Sequence, residues 1–197
     1  MCPNNQKLYE ERIIMSKIAL LSIDFQKGFE EPVWGVRNNP DAESKMTFLL
    51  SEWRDKGFPV IHIQHCSVEA NSPLRPGFPG NEFKDEAKPL RGEKVFTKTV
   101  NSAFIGTELE KYLRENNIES LVIAGLTTDH CISTTTRMAG NLGFEVTLVS
   151  DATATFDRTG EDGTHYSAEQ IHKIHLASLN GEFCTVLTSN EVLSAIV

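Results

Sequence analysis

From Lys17 onward, short apolar runs alternate with stretches of helical periodicity, and that alternation leaves few folds open. Runs such as Ile18–Ile23 (IALLSI) and Ser120–Gly125 (SLVIAG) are continuously apolar. A strand with that pattern is covered on both faces, as in a parallel sheet held between two layers of helices. The strand candidates are Lys17–Ile23, Pro59–His65, Lys94–Thr97, Leu121–Ala124, Glu145–Val149 and Phe183–Leu187. Helix candidates lie between them at Asp41–Lys56, Thr107–Glu115, Cys131–Leu142, Ser167–Leu179 and Asn190–Ala195. Phe48, Leu49 and Trp53 give the first helix an apolar stripe, and Leu109, Tyr112 and Leu113 give one to the second. The pattern predicts one α/β domain over residues 17–197, a three-layer αβα sandwich on a six-stranded, mostly parallel sheet. Residues 1–16 are expected to be a flexible extension. The segment Cys66–Gly92, punctuated by Pro73, Pro76, Pro79 and Pro89, reads as a long loop, expected to serve as a lid or a subunit contact.

Composition removes several classes of function. The 197 residues suffice for one sizeable core, and the formal net charge of -8 gives no electrostatic support for binding nucleic acid or an anionic membrane. No apolar stretch approaches the roughly 20 residues of a membrane span, and no signal peptide is visible, so the expected location is cytoplasmic. The four cysteines (Cys2, Cys66, Cys131, Cys184) follow no zinc-ligand spacing and read as reduced thiols.

In an open α/β sheet, ligands bind beyond the carboxyl ends of the strands, so the polar residues that end each strand are the ones to weigh. Strand one runs into IDFQKGF, placing Asp24 at that rim, and strand three into FTKTVNSAF, placing Lys98 there. Strand four runs into GLTTDHCISTTTRMA, which turns and starts a helix near Cys131. Taken singly, each residue has an ordinary reading: a cysteine in the core, an aspartate capping a turn, a solvated lysine. Together they supply the parts a thiol nucleophile needs. A free thiol has a pKa of about 8.5, and a nearby ammonium and a helix N-terminus both favour its thiolate. Asp24 is then the candidate general base, Lys98 the charge stabiliser and Cys131 the nucleophile. The backbone N–H groups of Thr127 and Cys131 are candidates for an oxyanion hole.

At these residues the chain resembles the isochorismatase-like cysteine hydrolases, a superfamily that includes nicotinamidases and N-carbamoylsarcosine amidohydrolase. The likeness runs from Lys17 to Val197 through IDFQKGF, KTVNSAF, LVIAGLTTDHCISTTTRMAGNLGFEVTLVSDA and LASLNGEF. It implies strand order 3-2-1-4-5-6 and an Asp–Lys–Cys triad that falls on Asp24, Lys98 and Cys131. It also implies a cis peptide at Leu126–Thr127 and a pocket that includes Phe29, Leu126 and His130. Nicotinamidases carry an Asp-x-His metal pair after the second strand. Here the corresponding stretch reads IQHCSVEA, with His65 and Ser67 near those positions, so neither a metal nor another cofactor is expected.

Several residues carry weaker expectations. Trp34 and Phe78 flank the expected mouth and could stack on a planar substrate. His62 is expected in the core, His65 as a rim or hydrogen-bonding residue, His172 and His175 on a surface or subunit contact, Asp151 orienting loops, and Cys184 inert within the last strand. The expected activity is hydrolysis of a C–N bond in a small carboxamide or carbamoyl compound, by a homo-oligomer of two or more subunits. Hydrolysis of a vinyl ether of the isochorismate type, and a non-catalytic binding role on the same fold, stay open.

Overall fold

The structure is a computed structural model and describes residues 17–196, so the expected extension at 1–16 lies outside the described residues. In chain order the elements are β1 (Lys17–Ile23), α1 (Ala42–Asp55), β2 (Val60–His65), β3 (Lys94–Lys98), α2 (Leu109–Glu115), β4 (Ile118–Leu126) and α3 (Ser133–Asn141). There follow β5 (Glu145–Ala154), β6 (Arg158–Thr159), β7 (His165–Tyr166), α4 (Ala168–Leu179), β8 (Thr185–Leu187) and α5 (Ser189–Ala195). Six strands form one sheet in the order β3-β2-β1-β4-β5-β8, every neighbouring pair parallel. The expected order differs only in the number of its last strand, because the two-residue strands β6 and β7 form a separate antiparallel hairpin first.

The apolar runs are explained by the two faces of this sheet. Along β1, Ala19, Leu21 and Ile23 enter a core shared with α2, α3 and α4, while Leu20 enters the opposite core against α1 and α5. Helix α1 buries Met46, Leu49, Leu50 and Trp53. The expected stripe included Phe48, which instead is 41% exposed, one position off the buried face. Among the described residues no helix is long and apolar enough to cross a membrane.

Three departures from the sequence expectation bear on the site. Strand β5 continues past Val149 through polar residues, because a register shift after Ile123 lets Gly125 and Leu126 pair with Thr153 and Ala154. Cys184 precedes β8 rather than lying within it, though it is buried. Finally, no α-helix begins at Cys131: a π-helical turn over Thr128–Ile132 comes first, and α3 starts at Ser133. Such insertions of one wider turn are frequently found at functional sites. Just before it, Gly125 takes φ +144°, and a Cβ there would lie 2.0 Å from the Ile23 carbonyl oxygen. Only glycine lets the end of β4 approach the end of β1 this closely.

The long loop 66–92 is packed down rather than free. It contains short 3-10 turns at Pro79–Asn81 and Asp85–Ala87, and its Lys84 is buried between Glu43 (2.7 Å) and Glu30 (3.1 Å). Gly80 meets Gly28 so closely that a Cβ on Gly80 would sit 2.8 Å from the Gly28 Cα and 2.4 Å from the Pro73 oxygen.

At the other end of the sheet, the buried His62 contacts Glu93 through Nε2 at 2.8 Å, as a core histidine should, while its Nδ1 has no partner. Arg54 donates to the same carboxylate at 2.7 and 3.0 Å, and the Leu90 N–H does so at 2.8 Å. Burial pushes the Glu93 carboxyl up, but Arg54, the Leu90 N–H and His62 together outweigh it and hold it at about 2. A carboxyl depressed in the folded state binds protons more readily when unfolded. Its stabilisation is therefore full above about pH 4.5, the ordinary glutamate value, and is lost as pH falls towards 2. Urea midpoints for wild type and Glu93→Gln are expected to converge as pH drops from 6 to 3. A gap that stays constant over that range would show that the Glu93 charge does not stabilise the fold.

Candidate active site

Four strand ends deliver the groups. Asp24 follows β1 directly and takes φ +53°, a left-handed conformation uncommon outside glycine and costly for other side chains. Its N–H donates to the Ile63 carbonyl at 2.9 Å, and its carbonyl accepts from Gln26 N–H at 2.8 Å, so the turn is fixed by β2 and by the chain that follows. His65 and Lys98 close β2 and β3 and are register partners across the sheet. Cys131 sits in the π-helical turn after β4, whose Leu126–Thr127 peptide bond is cis.

That turn is held from three sides. The Thr127 carbonyl accepts from the N–H groups of His130 and Ile132, both at 3.1 Å. The Thr128 hydroxyl lies 2.8 Å from His172 Nδ1 on α4. Arg158 donates to Asp129 at 2.7 Å, and the Thr155 hydroxyl donates to it at 2.5 Å. His172 was expected on a surface or subunit contact; it is 5% exposed and ties α4 to the turn. His175, on the same helix, is half-buried with an unpartnered Nδ1. Asp151 accepts from the N–H and hydroxyl of Ser189, both at 2.7 Å, and so fixes the start of α5 rather than facing the site.

Asp24, Lys98 and Cys131 meet in a buried cluster. Lys98 Nζ donates to Asp24 Oδ2 at 2.7 Å, to Cys131 Sγ at 3.2 Å and lies 3.2 Å from His65 Nδ1. An ammonium has three N–H donors, and here each has an acceptor. The thiol of Cys131 lies 3.7 Å from Asn101 Oδ1. Burial, reinforced by the negative charge of Asp24, pushes the Cys131 thiol well up, with Lys98 opposing both. The resting thiol is therefore neutral, and the ammonium does not by itself produce a thiolate. Burial works against the Lys98 charge, but Asp24 and Cys131 outweigh it and keep the group an ammonium. Burial, followed by the Lys98 charge, holds His65 down and neutral.

Beside the thiol lies a cleft of about 380 Å³, lined by Phe29, Trp34, His65, Leu74, Asn101, Thr127, His130 and Cys131. Of the residues expected from sequence, Phe29, Trp34, Thr127, His130 and Cys131 line it. Leu126 is fully buried in the core against α1, and Phe78, 49% exposed, is not part of the lining. Trp34 is oriented by its Nε1–H, which donates to the Gly28 carbonyl at 2.7 Å, and packs on Phe29 and Phe156 with ring centres 5.1 and 5.8 Å away. Sequence reasoning passed over Asn101, Leu74 and Phe156. Asn101 lies within the quoted KTVNSAF block and could have been found there. Leu74 and Phe156 come from loops whose paths only the fold reveals.

Asp24, His65 and Cys131 offer ligand-type atoms within 4.8 Å of one another. The Lys98 ammonium already bonds all three, so a metal among them would have to displace it. Ser67, near the place of the second nicotinamidase ligand, uses its hydroxyl to accept from the Glu69 N–H at 3.2 Å. These residues do not fit the nicotinamidase type of metal site.

The isochorismatase domain model matches residues 18–191. This chain belongs to the isochorismatase family of hydrolases. The isochorismatase family protein YrdC of Bacillus subtilis is 49% identical over 178 residues, spanning 90% of this chain and 95% of that protein. A crystal structure of an isochorismatase-family protein from Chromobacterium violaceum is also 49% identical, with a TM-score of 0.88 over 92% of this chain and 93% of that one. Streptothricin hydrolase of Streptomyces noursei is 33% identical over 71% of this chain and 55% of its own length.

The electrostatics of the cluster are open to direct measurement. Iodoacetamide reacts with the thiolate, so its rate against pH reports the Cys131 midpoint once the labelled peptide is located by mass spectrometry. Removing the negative neighbour without changing its shape, in Asp24→Asn, is expected to lower that midpoint. An unchanged or higher midpoint would mean that Asp24 does not hold the thiol up.

Proposed function

We propose that this isochorismatase-family hydrolase cleaves the C–N bond of a small, uncharged carboxamide or carbamoyl compound through a thioester on Cys131. The observation that carries this reading is the buried ammonium of Lys98, bonded at once to a carboxylate (2.7 Å) and a thiol (3.2 Å) at the wall of a small cleft.

In this reading substrate enters over the neutral thiol. Asp24 takes the thiol proton, and Lys98 moves its charge from compensating a carboxylate to compensating a thiolate. The sulfur attacks the carbonyl carbon, and the N–H groups of Thr127 and Cys131 receive the developing oxyanion. Collapse breaks the C–N bond, and Asp24 returns the proton to the departing nitrogen, releasing ammonia or an amine. Water then attacks the thioester, which yields the acid and restores the thiol. The raised thiol pKa suits such a cycle, because the proton leaves only when an electrophile is in place and the buried thiol is otherwise inert.

The cleft favours this chemistry over isochorismate cleavage. Isochorismate is a dicarboxylate, yet none of the cleft-lining residues is an arginine or lysine. Phe29, Trp34 and Leu74 instead offer flat apolar surface that suits an uncharged acyl group. A relative whose name states hydrolysis of streptothricin adds support for hydrolytic chemistry on this scaffold. A binding role without turnover is disfavoured by the complete acid–ammonium–thiol set in one buried cluster.

The test is ammonia release across a panel of uncharged carboxamides and ureides, with pyruvate release from isochorismate run in parallel. For the best substrate, Cys131→Ala is expected to lose at least about a thousandfold in kcat while keeping its fold. Intact-protein mass spectrometry should show the wild type carrying the acyl adduct. Undiminished turnover in Cys131→Ala, or pyruvate as the sole product, would replace this reading.

A further inference from the structure

The Lys98 ammonium has a third acceptor that the acid–ammonium–thiol reading leaves unused. We propose that His65 is a positioning residue for catalysis: a neutral acceptor that holds the Lys98 ammonium on Cys131 while the other two acceptors change their protonation or bonding. The inference rests on the cysteine reading above and extends it by a residue.

A buried cation needs an acceptor for every N–H. The Lys98 and Asp24 side chains are fully shielded from water, so an N–H left without an acceptor could not be satisfied by solvent. Two acceptors vary through the proposed cycle. Asp24 loses its charge when it takes the thiol proton, and Cys131 becomes a weak acceptor when acylation removes the charge from its sulfur. The imidazole Nδ1 of His65, 3.2 Å from Nζ, undergoes neither change. It can hold the ammonium in place at the steps where the carboxylate and the sulfur grip it least.

The structure fixes this histidine more firmly than a rim residue needs. His65 is the register partner of Lys98 on the adjacent parallel strand, which sets the two side chains beside each other. Its backbone is clamped by a buried glutamine: Gln26 Oε1 accepts from the His65 N–H at 2.8 Å, and Gln26 Nε2 donates to the His65 carbonyl at 2.9 Å. Asn81 Nδ2 donates to the same carbonyl at 2.8 Å. These bonds hold the carbonyl and N–H of one residue from two separate segments, and the ring projects into the cluster.

The chemical type of the group also matters. A carboxylate in place of the imidazole would compete for the ammonium and set a second negative charge near the sulfur, beside Asp24. An apolar group would leave one N–H free to turn towards Asp24, the shortest of the three contacts, and away from the thiol. The charged groups that face His65 are Lys98 and Asp24 from the neighbouring strands and Glu69 from the loop beyond β2. A neutral acceptor satisfies the donor without drawing charge away from the sulfur.

The experiment uses three replacements at one position: His65→Asn, which keeps a neutral acceptor, His65→Asp, nearly the same shape but charged, and His65→Leu, with no acceptor. Each is read by the second-order rate of Cys131 alkylation with iodoacetamide between pH 7 and 10, with circular dichroism to verify folding. His65→Asn is expected to recover most of the reactivity, within about threefold of wild type. His65→Asp and His65→Leu are each expected to slow labelling at least about tenfold at pH 8, the equivalent of one pKa unit in the thiol. Equal rates for the Asn and Asp variants would overturn the proposal, since the two differ in charge and hardly in shape. So would a His65→Leu protein that labels like wild type. Failure of the cysteine reading is distinguishable, because it would appear as turnover that survives complete alkylation of Cys131 in the wild-type protein.

Discussion

A lysine ammonium without access to water is the constraint around which this molecule is organised. A buried charge is tolerated only when it is paired and every donor is used. Here the pairing requires a carboxylate from the end of β1, an imidazole from the end of β2 and a sulfur from the turn after β4. Together with β3, which carries Lys98, these strands lie side by side in the sheet, and the parallel strand order brings their carboxyl ends to one edge. The left-handed turn at Asp24 and the close approach permitted by Gly125 both serve the same convergence.

The same pairing explains why the thiol is quiet at rest. Lys98 favours a thiolate, but burial and the Asp24 charge prevail, and the proton stays on sulfur. In the proposed mechanism, reactivity depends on moving a proton over a short distance inside a preorganised cluster, with little reorganisation of solvent. A thiol that is activated only with substrate in place is also protected from adventitious oxidation, since oxidants act on thiolates.

Much of this was legible in the sequence, and the reasons differ by residue. Continuous apolar runs require strands covered on both faces, so the six sheet strands and their parallel arrangement followed from IALLSI, SLVIAG and their like. Asp24 and Lys98 were legible because each sits where a strand run meets a polar residue, and Cys131 because it lies in the turn after another strand, on the side where parallel sheets bind ligands. What escaped was set by contacts distant in the chain. Phe48 and Met46 are both apolar and one helical turn cannot choose between them; packing of α1 on the sheet buries Met46 and leaves Phe48 exposed. His172 reads from the sequence as a surface or subunit contact, and only the fold brings Thr128 to its ring, 44 positions away. The extra length of β5 likewise depends on a register shift between strands, which no local pattern encodes.

The clamp on His65 ties the shape of the cleft to the chemistry within it. Asn81, which grips the His65 carbonyl, uses the same amide nitrogen to hold the Leu74 carbonyl at 2.8 Å, and Leu74 forms part of the cleft wall. The wall and the frame of the ammonium are thus built on shared atoms. Were the stretch from Leu74 to Asn81 to swing outward as a hinged cover, it would release the His65 backbone as it opened the cleft. This part of the loop is a fixed jamb rather than a door. New substrates are then better accommodated by exchanging side chains along the jamb, or by altering the Trp34 side of the opening, than by changing the length of the loop between these two anchors.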